Sequence, residues 1–211
     1  MMLPRRHALV RLARPPGAGT DDDQRRATDW QRAGRPFVVA RRGDETDVLR
    51  LGFCTVDPRH PQLRPRRVAV RAAPADIAAI ERPPSLAAIV AAAVQHPRHD
   101  ALARLAAAAE GAALDVRVYG SWMWQALTGE PHVHALSDLD VLVDVADRAS
   151  ADRAASFLAV QEAATGLTLD GELHLAGIGD LSWREWHGEA PEVLVKTLES
   201  MRLVPRQALA P

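Results

Sequence analysis

The chain has 211 residues, of which 47% are hydrophobic and 25% are charged, and its formal net charge is −1. This composition is ordinary for a globular protein and argues against a nucleic-acid-binding domain, which would carry a strong basic excess. The single Cys54 excludes an intramolecular disulfide and a cysteine-rich metal site, and no apolar run is long enough to span a membrane. We therefore expect a cytoplasmic protein without a membrane or nucleic-acid partner.

Residues 1–82 predict a small α+β subdomain. The apolar run at 8–12 is expected to form an edge strand. Two apolar runs at 36–40 and 47–53 predict the strands of a β-hairpin, and the polar residues 42–45 between them predict its turn.

The remainder of this first region is basic and interrupted by prolines. Residues 68–70 predict a short strand, and residues 75–81 predict a helical turn with Asp76 in its first turn. Arginine grips phosphate through two parallel hydrogen bonds, so an anionic substrate or an acidic carrier protein would suit this region. More often, such arginines are only surface charges. The arginines concerned are Arg64, Arg66, Arg67 and Arg71.

Pro83-Pro84 marks a boundary, so residues 83–211 are expected to form a second domain. Ser85 is a good N-cap for a helix that begins at Leu86, and a second helix is predicted over roughly 99–113. Both helices are rich in alanine and carry no evident chemistry. They are expected to pack on a sheet.

The centre of this domain combines two local patterns. An apolar strand with Val116 and Val118 ends at Gly120-Ser121, where a helix begins. Glycine allows close approach of a ligand, and a serine at a helix start leaves N–H groups that suit a phosphate. A second strand then carries Asp138 and Asp140, which share one face because side chains alternate along a strand. Two such carboxylates repel each other unless a cation such as Mg²⁺ lies between them.

At these residues the sequence resembles the nucleotidyltransferase superfamily, whose fold is the DNA polymerase beta palm. It is most similar to the holo-acyl-carrier-protein synthases of malonate decarboxylase, also called phosphoribosyl-dephospho-CoA transferases. The resemblance lies in the segments Tyr119-Gly120-Ser121, Trp124-Gln125, Leu127-Thr128-Gly129 and Ser137-Asp138-Leu139-Asp140-Val141-Leu142. It implies an α+β fold, with a mixed palm sheet and flanking helices preceded by the small N-terminal subdomain. Sixteen residues (122–137) separate Ser121 from Asp138, a longer spacing that the closer family shares.

The palm fold implies a third carboxylate on a neighbouring strand. Residues 167–175 alternate, with leucines on one face and Asp170, Glu172 and His174 on the other. Gly171 is a possible bulge, so alternation alone does not choose between the two acids. Glu172 is slightly favoured because Asp170-Gly171 also suggests a turn. Asp138, Asp140 and Glu172 are therefore the expected metal ligands, with Asp170 as the alternative.

Other polar residues have both a functional and a structural interpretation. Arg184 is expected either to bind substrate phosphate or to form a surface ion pair beside packed tryptophans. Lys196, in an apolar run, either reaches the surface or neutralises charge at the site. His132 and His134 are expected on a loop surface, because no further ligands have the spacing of a zinc site.

The resemblance also implies an activity. The enzyme would move 2′-(5″-phosphoribosyl)-3′-dephospho-CoA from its triphosphoribosyl precursor to a serine of the acyl carrier subunit of malonate decarboxylase, with Mg²⁺ as cofactor. Gly120, Ser121, Arg184 and Lys196 would bind substrate. One alternative is another nucleotidyltransferase that moves AMP or a similar nucleotide to a protein or small molecule. A second is an inactive palm that serves as a sensing or scaffolding module.

Overall fold

The computed structural model describes residues 4–41, 47–57, 65–188 and 190–209. The chain divides into two compact units. The N-terminal unit comprises Met1–Pro83 together with Leu127–His132, and the C-terminal unit comprises Pro84–Ala126 together with Val133–Pro211. Each unit contains one six-stranded sheet with helices, so the predicted α+β class is confirmed. The sequence predicts a single division between residues 82 and 83. That division does not anticipate that Leu127–His132 belongs to the N-terminal unit.

The N-terminal unit is an antiparallel sheet in the order β2-β5-β4-β3-β1-β6, with helix α1 packed on one face. Helix α1 begins after Thr20, whose hydroxyl accepts a hydrogen bond from the Asp23 amide at 3.2 Å. Trp30 on this helix stacks on Phe53 of the sheet with ring centroids 4.5 Å apart. The elements in chain order are β1 (Leu9–Leu12), β2 (Gly17–Ala18), α1 (Asp21–Arg32), β3 (Phe37–Val39), β4 (Leu49–Thr55), β5 (Arg66–Ala72), a 3₁₀ turn (Pro74–Asp76) and β6 (Ile77–Glu81).

The predicted hairpin is confirmed, since β3 and β4 pair antiparallel, while its predicted turn at 42–45 lies outside the described residues. Two other expectations for this unit are wrong. Strand β1 lies between β3 and β6 and is therefore not an edge strand. The helical turn predicted over 75–81 is largely strand β6, because pairing with β1 overrides a weak local helix preference.

The C-terminal unit is a mixed sheet in the order β12-β11-β10-β9-β8-β7. Only the pair β8 and β9 is parallel among the strand pairs of the described residues, and helix α5 makes the crossover between them. The elements are α2 (Leu86–Ala92), α3 (His99–Gly111), β7 (Val116–Val118), α4 (Gly120–Thr128), β8 (Leu139–Val145), α5 (Arg148–Thr165), β9 (Leu169–Leu175), β10 (Gly179–Ser182), α6 (Trp183–His187), β11 (Glu192–Lys196), β12 (Met201–Pro205) and a 3₁₀ turn (Arg206–Ala208).

The two faces of this sheet differ in polarity. Val141, Val143 and Leu173 face the core, where they join Leu105 of α3 and Leu158 of α5, all fully buried. The opposite face carries the acidic residues of β8 and β9, as alternation predicts. Helices α2 and α3 pack on this unit as expected, and Ser85 caps α2 by accepting a hydrogen bond from the Ala88 amide at 3.2 Å. None of the helices in the described part of the chain combines the length and apolar character that crossing a bilayer requires.

Candidate active site

Gly120 allows the start of helix α4 to lie directly against a carboxylate. Its φ of +67° is the left-handed conformation that favours glycine, and a Cβ at this position would lie 1.8 Å from Asp140 Oδ2. The Tyr119 amide donates to the Asp140 carbonyl at 3.0 Å, which fixes the end of β7 beside β8. The Gly-Ser pattern thus requires glycine at its first position, because the backbone there lies directly against the Asp140 carboxylate.

Ser121 follows at the first turn of α4. Its hydroxyl oxygen is buried and has no hydrogen-bond partner among the residues that the structure describes. A buried hydroxyl without a partner is costly, and the nearby amides of a helix start also lack partners within the helix. Together these groups suit an anionic ligand such as a phosphate, which would satisfy both.

Three carboxylates converge next to this helix start. Oxygen atoms of Asp138, Asp140 and Asp170 all lie within 4.8 Å of one another. Asp138 and Asp140 are half-buried and Asp170 is exposed, so a ligand could approach from the Asp170 side. The cluster arises from register, because Asp140 pairs directly with Asp170 across the parallel strands β8 and β9. Three negative charges at this spacing repel one another, and their hard oxygen atoms fit a divalent cation such as Mg²⁺.

The structure does not bring Glu172, the slightly favoured residue, into this cluster, in which Asp170 is the third carboxylate; the metal role of either acid stays a prediction. Glu172 is opposite Leu142, two residues further along the strands than the pair of Asp140 and Asp170. Its carboxylate is buried and accepts a hydrogen bond from Lys196 Nζ at 2.9 Å. The predicted bulge or turn at Gly171 is also wrong, since β9 pairs with β8 without interruption. A side chain there would collide with the neighbouring strand, because a Cβ would lie 2.2 Å from the Val141 carbonyl oxygen.

Lys196 is held on the polar face of the sheet by this same ion pair, with its side chain 28% exposed. It therefore compensates a buried carboxylate. Its predicted contact with substrate stays a prediction. A second pair lies on the same face, where His174 Nδ1 and Asp180 Oδ1 are 2.7 Å apart.

Arg184 forms the ion pair that the sequence offered as its structural alternative. Its guanidinium makes a two-pronged contact with Glu162, one hydrogen bond being 2.9 Å long, and it also donates to the Leu169 carbonyl at 2.9 Å. It stacks on Trp183 at 4.5 Å from the ring centroid. Hydrogen bonding to Arg184 is the main reason that the pKa of Glu162 lies below its usual value. Arg184 thus ties α6 to α5 and β9, and a phosphate contact stays a prediction.

The sequence misplaces one residue of the loop before β8 and gives no signal for an arginine that contacts this loop. His132 was expected at the surface, but its side chain is only 1% exposed, and burial lowers its pKa so that the ring is neutral near pH 7. His134 is exposed, as expected. Arg98 was not singled out, yet it donates to the Ser137 carbonyl at 2.6 Å and to the Ala135 carbonyl, which fixes the approach to Asp138. No local pattern marks Arg98, since it lies about forty residues away in sequence.

A separate cleft of about 540 Å³ lies among α5, α6 and the C-terminal 3₁₀ turn. It contains none of the three clustered carboxylates. Two contacts connect the residues of this cleft. The Trp186 indole donates to Asp152 at 2.8 Å, and the Arg206 guanidinium stacks on Trp186 at 4.3 Å from the ring centroid. The lining residues are Arg148, Asp152, Ala155, Ser156, Trp186, His187 and Arg206.

Comparison with known proteins gives consistent matches over both units. Two family models match the chain, the phosphoribosyl-dephospho-CoA transferase MdcG N-terminal domain over residues 5–83 and the MdcG C-terminal domain over residues 85–207. The phosphoribosyl-dephospho-CoA transferase of Xanthomonas axonopodis pv. citri is 40% identical over 98% of this chain and 96% of its own length. That of Bradyrhizobium diazoefficiens is 40% identical over 71% of this chain and 66% of its own length. No solved structure matches the chain significantly.

Proposed function

Because this chain belongs to the phosphoribosyl-dephospho-CoA transferase family, we propose that it transfers 2′-(5″-phosphoribosyl)-3′-dephospho-CoA to an acyl carrier protein. The donor is the triphosphoribosyl precursor, and the acceptor is a serine hydroxyl on the acyl carrier subunit of malonate decarboxylase. The observation that carries this proposal is the convergence of Asp138, Asp140 and Asp170 beside Gly120 and Ser121. The enzyme is proposed to act in the cytoplasm.

The reaction is a displacement at the phosphorus that is bonded to the ribose 5″ oxygen of the donor. The serine oxygen forms a bond to this phosphorus while the bond from the phosphorus to the next bridging oxygen breaks. Pyrophosphate leaves with that bridging oxygen, and the hydroxyl proton passes to a carboxylate or to water. The protein needs no covalent intermediate of its own, so its task is to position the reactants and to balance charge.

The residues fit this task in two groups. Ser121 and the amides at the start of α4 would hold the outer phosphates, since the serine hydroxyl otherwise lacks a partner within the described part of the site. Asp138, Asp140 and Asp170 would hold Mg²⁺, because their oxygen atoms lie within 4.8 Å of one another. A cation held there would supply Lewis-acid chemistry, which favours attack by the serine oxygen and departure of pyrophosphate. Gly120 keeps the two groups adjacent.

The proposal is tested by incubating the protein with Mg²⁺, the triphosphoribosyl donor and the apo carrier, and then measuring the intact mass of the carrier. We expect a mass gain equal to the phosphoribosyl-dephospho-CoA group, with one pyrophosphate released per carrier. A parallel reaction with ATP in place of the donor tests the alternative nucleotidyltransferase. A gain with ATP alone would replace the proposed function with that alternative.

The metal role is tested with Asp138→Asn. Turnover is expected to fall by a factor of about 10² or more, because a charged oxygen ligand is lost at the reacting centre. The variant should fold normally, since removing one of three clustered negative charges relieves repulsion. Calorimetric titration with Mn²⁺, as a stand-in for Mg²⁺, should show weaker binding in the variant. Wild-type turnover and Mn²⁺ affinity in Asp138→Asn would refute the metal site.

A further inference from the structure

The segment that joins Ser121 to Asp138 passes through the N-terminal unit. Helix α4 up to Ala126 and the loop from Val133 onward belong to the C-terminal unit, whereas Leu127–His132 belongs to the N-terminal unit. Ser121 in the proposed phosphate-binding half and Asp138 in the proposed metal-binding half are thus joined by a segment whose middle belongs to the N-terminal unit. This arrangement needs a reason, because a direct turn could join α4 to β8 within one unit.

Arg35 holds this segment. Its Nη1 atom donates to Glu130 Oε1 at 2.8 Å, and the two side chains are 30% and 29% exposed. The Arg35 guanidinium also lies 4.8 Å from the centroid of the Trp30 ring. Trp30 itself is fixed by its indole, which donates to the Pro36 carbonyl at 2.9 Å in a buried position. Glu130 is therefore tied to the hydrophobic core of the N-terminal unit through a cation–π contact and an ion pair.

His132 completes the arrangement. Its ring is 1% exposed, and its Nε2 atom lies 3.6 Å from Glu130 Oε2. Neither ring nitrogen, nor Glu130 Oε2, has a hydrogen-bond partner among the described residues. Burying polar atoms without hydrogen-bond partners costs free energy. Other contacts of the segment, such as the Arg35–Glu130 ion pair, must offset this cost. We name Arg35, Glu130 and His132 the linker anchor.

The two ends of the segment are tied separately within the C-terminal unit. Gln125 Oε1, on α4, accepts a hydrogen bond from the Val133 amide at 2.9 Å. Arg98 donates to the Ser137 carbonyl at 2.6 Å, next to Asp138. The linker anchor holds the middle, and Glu130 lies only two residues beyond the end of α4 at Thr128.

We propose that the linker anchor positions helix α4, and with it Ser121, against the carboxylates for transfer. This inference rests on the function proposed above. Arg35 and Glu130 are positioning residues, since they act through the segment and do not touch the reacting atoms. When the anchor is lost, the contacts of Gln125 with Val133 and of Tyr119 with Asp140 still hold α4 near β8, but the end of α4 loses one restraint. A displacement of about 1 Å at a reacting centre costs up to about 100-fold in rate.

The test compares Arg35→Gln, Glu130→Gln and the double variant in the carrier transfer assay. We expect kcat to fall about tenfold in each single variant, with the KM for the carrier unchanged. The double variant should be no slower than either single one, because both changes break the same contact. Arg35→Lys, which keeps the charge, should recover most of the loss.

Arg26→Gln is the matched control. Arg26 lies in the same unit, and its Nε atom forms an ion pair of 2.9 Å with Asp22 within α1. Its loss removes a comparable contact and should leave kcat unchanged. A purely stabilising role for Arg35 would lower the melting temperature and leave kcat of the folded protein unaltered, and that result would overturn the proposal.

Binding of magnesium tripolyphosphate, measured by calorimetry, tests the same geometry without turnover. Its dissociation constant should rise about tenfold in Arg35→Gln and Glu130→Gln and stay unchanged in Arg26→Gln. If the wild-type protein binds tripolyphosphate but transfers nothing to the carrier, the proposed function fails while this comparison still decides the role of the anchor. Equal dissociation constants in wild type and in both anchor variants would refute the positioning role of the linker anchor.

Discussion

Gly120→Ala should separate catalysis from stability more sharply than any other single change at the site. An added Cβ would lie 1.8 Å from Asp140 Oδ2, and real Cβ contacts essentially never fall under 3.0 Å. The carboxylate must therefore retreat by about 1.2 Å, since the backbone on both sides is held by strand pairing. A misplacement of about 1 Å can cost about 100-fold in rate, so we expect kcat to fall by that order.

The cost to stability should be modest. An alanine at a φ of +67° loses about 1–2 kcal/mol relative to glycine, which for a chain of this size lowers the melting temperature by about 2–8 °C. Gly166→Ala is the matched control, because Gly166 has a φ of +70° at the end of α5 and open space around its Cα. The control should show the same thermal shift with normal activity.

The measurements are the initial rate of pyrophosphate release with saturating donor and carrier, and thermal unfolding followed by circular dichroism. Both variants should unfold in one transition at similar temperatures, and only Gly120→Ala should lose activity. A Gly120→Ala protein with wild-type kcat would refute the close approach of α4 to Asp140 as a requirement for transfer. Equal loss of activity in Gly166→Ala would mean that backbone strain, and not displacement of the carboxylate, is responsible.

Three further changes test the rest of the site. Asp170→Asn should lower kcat by a factor of about 10² or more at nearly unchanged stability. Glu172→Gln should chiefly destabilise the fold, by up to about 3 kcal/mol, because the buried carboxylate loses its charge-assisted hydrogen bond with the half-buried Lys196. Steady-state kinetics and urea unfolding distinguish the two variants, and the opposite pattern would favour Glu172 as the third ligand. Gly171→Ala should cost about 3 kcal/mol or more in urea unfolding, because its Cβ would meet a backbone carbonyl at 2.2 Å, and a stable variant would contradict the β8–β9 register. Arg184→Met should lower the melting temperature at pH 7. Because Arg184 lowers the pKa of Glu162, this contribution to stability is present above the unfolded pKa of about 4.5 and is lost as the pH falls through the lower folded value. A thermal difference between wild type and Arg184→Met that persists unchanged to pH 2 would show that the ion pair is not its source.

The sequence predicts local features of the site well and non-local ones poorly. The strand–Gly–Ser–helix pattern at Gly120 and the paired acids at Asp138 and Asp140 are local, and the structure contains both. Alternation also separates the two faces of β9 correctly. It cannot choose between Asp170 and Glu172, because residues two apart point to the same side of a strand. That choice depends on how β9 aligns with β8, and no local pattern specifies the register.

The errors elsewhere have the same origin. Strand β6 has the composition of a helical turn, and only its pairing with β1 makes it extended. His132 lies in a polar loop, and its burial follows from the packing of Leu127–His132 with the N-terminal unit. Glu162 and Arg184 are 22 residues apart, so their ion pair could be offered only as one of two interpretations. Tertiary contacts decided each case.

The parallel pairing of β8 and β9 has a consequence for how the protein acquires activity as it folds. Asp140 and Asp170 are opposite each other only after the chain has formed α5 and returned, a crossover of thirty residues. Contacts across such a span close slowly compared with helices and hairpins, because the entropy of loop closure is lost before any pairing compensates it. A newly made chain therefore gains most of its helices before its acidic centre exists, and the three carboxylates converge only when the crossover is complete.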